Sequence, residues 1–348
     1  MSLAKFLIVH YTTPGLHQDA MVLADALQRA AGGAEVYAHG MPFEWAPDYN
    51  RPIDVPTIVA SRAPFDAVFL LERLFGHPPL RSAQLARRRV WIPNVEWFMP
   101  QDEAEILAHP PDIILYKNQF TKERCEQLAG FSAVAARIVS GWTTRDFCPA
   151  PPARLKDFRT FLHVRGFSDQ KQADVLLDAW RSNPDFPLLK LITSPYREFA
   201  LRDMRAASNI QIVARYLSEA ELRHYQHSCG VHVYPSNAEG FGHALNEARI
   251  CGSVLVTTQA PPMSDLVTRS TGFLIPVVDT DITPYRRSLK YQVRPAAIAE
   301  TIRTVLATPV AHLAEYARRG RESYVRDQHA FQAAIRQVLR HCAIQGQL

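Results

Sequence analysis

Residues 238–252 read AEGFGHALNEARICG. Glu239 and Glu247 stand eight positions apart, with Gly240, Phe241, Gly242 and His243 between them. Glycine lets the backbone come close to a ligand and adopt positive φ. A helix starting after Gly242 would present free N–H groups and the positive end of its dipole, which suits a diphosphate. His243 and Glu247, four apart, would share one helical face. A carboxylate beside a ribose can accept from both hydroxyls, and Glu239 in the loop would stand near whatever the phosphates carry. The plainer reading makes Glu239 a carboxylate that complements the helix start and Glu247 a solvated helix residue. Either glutamate alone favours that reading; the pair, with both glycines and with Lys171 upstream, favours a site.

A second unusual stretch is WIPNVEWFMPQDE at 91–103. It follows a strand-like run, so it lies at a carboxyl end. Asn94, Glu96 and Trp97 are candidates to bind or activate an acceptor hydroxyl. Glu96 beside Trp97 and Phe98 is placed for a raised pKa, which suits a general base. The alternative buries Trp97 and Phe98 and leaves Glu96 exposed. HYTTPG at 10–15 follows the first strand-like run and adds His10, Thr12, Thr13 and Gly15. DTD at 279–281 has the form of a metal-binding DxD but lies in a proline-flanked loop, and the thirteen histidines form no ligand cluster. No metal site is expected.

The elements that must position these residues alternate. KFLIVHY, AEVYAHG, DAVFLLERL, RRVWIPN, PDIILYKN and AARIVSG read as strands, and GLHQDAMVLADALQRAAGG and KERCEQLAG as helices. At 141–158 periodicity fails and prolines gather, which reads as a linker. The pattern restarts with TFLHVRG and KQADVLLDAWRS and runs to SVLVTT, before a long helical tail over 295–342. Strands alternating with helices predict parallel sheets covered on both faces. The expected fold class is α/β, with two Rossmann-like domains facing a cleft: 1–150 for the acceptor, 151–348 for the donor, the C-terminal helices free to pack back on the first. Ligands of such sheets sit at strand carboxyl ends, so the cleft is the expected site.

Of the 348 residues, 47% are hydrophobic and 21% charged, an ordinary globular balance. No apolar run reaches the roughly 18 residues of a membrane helix. The five cysteines, Cys125, Cys148, Cys229, Cys251 and Cys342, form no CxxC, which fits a reduced, cytoplasmic protein. The net charge of +5 hints at an anionic partner. Arg81, Arg87, Arg88 and Arg89 form one basic cluster, and Arg286, Arg287, Lys290 and Arg294 another. Each reads first as a solvated face.

The set E-x7-E with internal glycines after a strand, in the context VYPSNAEGFG that includes Ser236, resembles the retaining GT-B glycosyltransferases of the large family usually numbered 4. The downstream CGSVLVTTQAPPMSDLVTRSTGFLIPV and the turn FLHVRGFSDQKQAD are similar to that family as well. There an Arg and a Lys clamp the donor diphosphate. Lys171 matches the lysine. The arginine slot falls on Gly166, with Arg165 its neighbour, and the glycine after the lysine is replaced by Gln172. The resemblance covers most of 159–275 by motif and 1–140 by fold alone.

The resemblance implies transfer of a sugar from a nucleoside diphosphate to an acceptor hydroxyl with retention, without metal or other cofactor, the nucleotide sugar being a co-substrate. It implies that Glu247 holds the ribose and Glu239 the donor sugar. Gly240, Phe241, Gly242, His243 and Ser236 line the donor, and Lys171, with Arg165 and Gly166, meets the diphosphate. The expected acceptor is a saccharide or lipid-linked glycan, with a cytoplasmic protein touching the inner membrane face through the arginines at 81–89. Two alternatives stay open. The same arginines, with Trp97 for stacking, would suit DNA carrying a hydroxylated base. The altered Arg165–Gly166 turn and Gln172 would suit a nucleotide-sugar-binding protein without catalysis.

Overall fold

A computed structural model describes residues 3–42, 57–128, 130–145, 156–166, 168–195, 207–282 and 289–342. Cys148, Arg286 and Arg287 lie outside them. The chain divides into two compact units: Met1–Arg145, Thr283–Ser288 and Asp327–Leu348 form unit 1, and Asp146–Ile282 with Leu289–Arg326 form unit 2.

Unit 1 carries β1 (Lys5–Tyr11), α1 (Pro14–Ala30), β2 (Glu35–Met41), α2 (Thr57–Ala60), β3 (Ala67–Glu72), α3 (Pro78–Arg81), β4 (Arg89–Pro93), α4 (Pro100–Ala108), β5 (Ile113–Tyr116), α5 (Gln119–Glu126) and β6 (Ala136–Val139). Its six strands run in the order β2-β1-β3-β4-β5-β6. Every pairing is parallel. All six residues of β3 are buried, as a central strand covered on both faces requires. Leu16, Ala20, Leu23 and Leu27 make the buried stripe of α1. On the same helix Asp19 is buried among polar partners. It pairs with Lys117 Nζ and accepts from Trp142 Nε1 at 2.6 Å. Trp142 in turn packs edge-on against Phe331, with 4.8 Å between ring centroids.

Unit 2 carries β7 (Asp157–Gly166), α6 (Ala173–Arg181), β8 (Leu189–Thr193), β9 (Ile210–Ala214), α7 (Glu219–Ser228), β10 (Cys229–Tyr234), α8 (His243–Ile250), β11 (Val254–Thr258) and β12 (Gly272–Ile275). The hairpin β13 (Asp279–Ile282) and β14 (Leu289–Gln292) follows, then α9 (Pro295–Ala307) and α10 (Val310–His341). The last fifteen residues of that helix belong to unit 1. The sheet order β12-β11-β10-β7-β8-β9 is the Rossmann order 3-2-1-4-5-6 read backwards. Phe161, Trp180 and Phe186 stack edge-to-face in its core at 5.3 and 5.4 Å. Gly230 lets β10 approach β7: a Cβ there would stand 2.5 Å from the Phe158 backbone.

Two expectations need correction. The linker read over 141–158 ends earlier, because Asp157 and Phe158 already belong to β7. The DTD triplet is no loop but the exposed strand β13, paired antiparallel with β14.

His163 and His232 are fully buried in the sheet of unit 2. His163 Nδ1 lies 2.7 Å from Val233 O, so it donates and the ring is neutral. Burial pushes both pKa values down to about 3. An unfolded chain protonates its histidines near pH 6.5. Their contribution is therefore complete above that pH and is lost as pH falls toward 3. Each histidine should cost about 1.4 kcal/mol per pH unit in that window. We expect the urea midpoint to drop steadily below about pH 6.5, and His163→Gln to lessen the slope. A midpoint flat between neutral and mildly acid pH would contradict this.

Candidate functional site

In unit 2 the strand order reverses between β7 and β10. Connections leaving these two strands go to opposite faces, and the gap at their carboxyl ends is where ligands of such sheets bind. Arg165 and Gly166 end β7, Lys171 follows it, and Ser236 to Glu247 follow β10.

The β7 turn is held in an uncommon shape. Gly166 has φ of 59°, and Gln172, a residue with a side chain, has φ of 45°. Gln172 Nε2 donates to Pro235 O at 2.7 Å and to Tyr291 O at 3.2 Å. The Asn237 N–H donates to Gln170 O at 2.7 Å, and the Tyr291 N–H to Asn237 O at 2.8 Å. The loops after β7 and β10 and the strand β14 are thus laced together. Ser236 is pinned through its carbonyl by Thr258 Oγ1 at 2.7 Å.

Three charged groups gather on this frame. Arg165 is 9% exposed. Its Nη2 donates to Asp169 Oδ1 at 2.7 Å, while Nε and Nη1 are buried without hydrogen-bond partners. Lys171 Nζ donates to Val164 O at 2.9 Å and lies 5.6 Å from the Tyr234 ring centre. Burial lowers its pKa, and the charges of Glu239 and Glu247 oppose the drop. Glu239 accepts from Ser236 Oγ at 2.8 Å. Burial raises its pKa, and Lys171 is the main opposing influence. Lys171 and Glu239 therefore feel one another without a direct ion pair.

Gly242, with φ of 80°, caps α8, so the helix starts at His243 as its sequence predicts. Phe241 and His243 meet edge-on at 5.2 Å. Glu247 is buried, not solvated. Its Oε2 accepts from Gln226 Nε2 at 2.7 Å, and Gln226 Oε1 accepts from Arg223.

Unit 1 brings together part of the second predicted set. Its order reverses between β1 and β3. His10, the penultimate residue of β1, is buried and pairs through Nδ1 with Tyr11 O at 2.8 Å; burial lowers its pKa. Thr12 is exposed and Thr13 half-buried at the start of α1, and Gly15 has open space around its Cα. Asn94, Glu96 and Trp97 form the turn after β4, Asn94 and Glu96 buried and Trp97 half-buried.

Sequence reading passed over Glu72, the last residue of β3. It is 6% exposed and has φ of 69°. The Arg73 N–H donates to Leu71 O at 2.8 Å, closing a γ-turn around it. Asn94 Nδ2 donates to Glu72 Oε2 at 3.0 Å. Burial pushes its carboxyl up to about 7, against Asn94, Lys117 and Arg73. The one available signal was a carboxylate directly after five apolar residues at a strand's carboxyl end.

The arginine cluster is internally paired. Arg81 forks onto Glu105, Arg87 meets Asp66, Arg88 meets Asp112, and Arg89 approaches Glu105 at 3.7 Å. Among the described residues no group of three or more His, Cys, Asp or Glu side chains is arranged to hold a metal ion. No helix among them is long and apolar enough to cross a membrane.

Two parallel six-stranded sheets with their helices are an architecture shared with solved structures. Residues 145–323 match the family described as Glycosyl transferases group 1. That is just over half of the chain, and the chain belongs to this family of glycosyltransferases. No curated protein matches it by sequence. Among solved structures, HepE of Anabaena in complex with UDP and glucose covers 99% of this chain and 100% of its own at 14% identity, TM-score 0.67. Sucrose-phosphate synthase of Thermosynechococcus elongatus covers 98% of each at 16% identity, TM-score 0.70. The pneumococcal O-GlcNAc transferase GtfA, in complex with UDP and GlcNAc, covers 79% of this chain and 55% of its own at 15% identity, TM-score 0.57. The fold is the GT-B pair of Rossmann-like domains.

Gln172 joins strain to support. Gln172→Ala keeps the positive φ and loses both hydrogen bonds to buried carbonyls, so it should cost about 2 kcal/mol. Gln172→Gly also loses them but relieves the backbone, and should cost clearly less. Denaturant unfolding of both variants checks the order; equal losses would contradict it.

Proposed function

We propose that the protein transfers a sugar, with retention, from a nucleoside diphosphate sugar bound by unit 2 to an acceptor hydroxyl bound by unit 1. The observation that carries this reading is the pair of unanswered N–H groups on Arg165. A buried guanidinium costs stability unless its donors are met, and a diphosphate oxygen would meet them. Arg165 and Lys171 both lie close enough to His163 to depress its pKa, so the two cations act on one region. In this reading Arg165 does the work of the arginine that the family pattern puts at position 166.

The roles follow. Lys171 and Arg165 neutralise the diphosphate as it leaves, an effect that grows where water is excluded. Free N–H groups at the start of α8, with Gly240 and Gly242, meet phosphate and sugar. Glu247, oriented by Gln226, accepts from the ribose hydroxyls. Glu239 stands across from Lys171 and accepts from the donor sugar. The bond between the anomeric carbon and the phosphate oxygen breaks. The acceptor oxygen then bonds that carbon on the same face, its proton passing to the departing phosphate. The positive charge this needs is supplied by the chain, and no metal is called on. A saccharide or lipid-linked glycan is the preferred acceptor. The arginines at 81–89 already hold carboxylates, which leaves less cationic surface for a DNA backbone.

The test is a thermal-shift series with UDP, GDP, ADP, CMP and dTDP. A ligand that binds only the folded state raises stability by mass action. One diphosphate should raise the melting temperature, and Arg165→Ala, Lys171→Ala and Glu247→Ala should each abolish the rise. No rise with any nucleotide would sink the donor site. A rise with neither transfer nor donor hydrolysis would instead favour a binding protein without catalysis.

A further inference from the structure

Glu72 ends a fully buried strand in an uncommon backbone conformation. A side-chain-bearing residue at positive φ inside a γ-turn is strained. The fold tolerates that strain at the carboxyl end of a fully buried strand, beside the reversal of strand order in unit 1. That reversal is where a sheet of order 2-1-3-4-5 binds its ligand. Phe75, three residues on, also has positive φ, at 47°.

The charges around it are settled among themselves. Lys117 pairs with Asp19, and Arg73 with Asp102 at 2.8 Å. Among the described residues Glu72 makes no ion pair. Its carboxylate accepts from Asn94 Nδ2, while its backbone carbonyl accepts from Trp91 Nε1 at 3.2 Å. Asn94 is itself 6% exposed, and its Oδ1 is buried with no partner. A carboxylate and an amide carbonyl thus stand side by side, both acceptors, the amide carbonyl without a donor.

We propose that Glu72 and Asn94 bind the acceptor substrate, taking hydrogens from neighbouring hydroxyl groups of a saccharide. This rests on the transferase reading above and names the class of its acceptor. Two acceptors repel a phosphate and match a diol, which brings two O–H donors at a fixed spacing. Burial that lifts the Glu72 carboxyl to about 7 fits a group that gains from being met by hydroxyls. Asn94 orients the carboxylate, and the γ-turn fixes its backbone. The strain is retained because only this turn presents the carboxylate at the strand end.

The experiment uses the whole chain, the nucleotide sugar named by the thermal-shift series, and a panel of p-nitrophenyl glycosides as acceptors. At least one glycoside should be elongated. Glu72→Gln keeps the shape and weakens the acceptor; it should raise KM for that glycoside at least tenfold, with the nucleotide thermal shift unchanged. Glu72→Gly relieves the backbone, and should melt no lower than the unmodified protein while losing glycoside transfer. Three results would overturn the assignment: unaltered glycoside KM in Glu72→Gln, a clearly lower melting temperature in Glu72→Gly, or nucleotide binding with no glycoside accepted. Absence of nucleotide binding in the unmodified protein would instead remove the transferase reading on which the assignment stands.

Discussion

In each unit a parallel sheet changes the direction of its strand order once, and the rest follows from that change. Crossovers between parallel strands are right-handed. Two neighbouring strands whose chains leave in opposite directions therefore send their connections to opposite faces. The carboxyl ends between them stay uncovered by either connection. In unit 2 the pair is β7 and β10; in unit 1 it is β1 and β3. Backbone N–H groups, glycines and charged side chains can gather there without breaking the apolar layers beneath. Arg165, Lys171 and Glu239 stand at one of these two places, and Glu72 and Asn94 at the other.

The donor side was legible because its information is local. Glu239, Gly242 and Glu247 fall in one short run, and a glycine before an apolar helix marks the turn whatever the rest of the chain does. The helix start at His243 and the strands around it follow from periodicity. Glu72 was not legible for the opposite reason. Its significance lies in a backbone angle and in a strand order, and neither is written in FLLERL. Asn94 was noticed, its partner 22 residues earlier was not. The hairpin β13–β14 escaped because DTDI is polar and exposed throughout, so no alternation announces it. The tail shows a third case. The helical tail read over 295–342 is met by α9 and α10, whose far end is carried by Phe331, Ile335, Val338 and Leu339 at three- and four-residue spacing.

Gln172 illustrates how a departure from a family pattern can preserve its geometry. A glycine is replaced, but the backbone still adopts the positive φ that glycine makes easy. The side chain compensates by tying two carbonyls on other loops, Pro235 and Tyr291. The turn that carries Lys171 is thereby joined to the loop that carries Glu239. A pattern match scores this position as a defect. Its hydrogen bonds instead fasten the two parts of the proposed donor site to each other.

The division of α10 between the units bears on biosynthesis. Unit 2 is complete once residue 326 has been made. Unit 1 begins at the N-terminus, yet Trp142 finds its edge-on partner in Phe331, and Ile335 and Val338 arrive later still. Domains emerging from a ribosome usually finish in the order they are translated. Here unit 1 must wait for residues that follow 326, and unit 2 can be complete before it. Until then Trp142 lacks the ring it packs against, so the newly made chain carries the more open core.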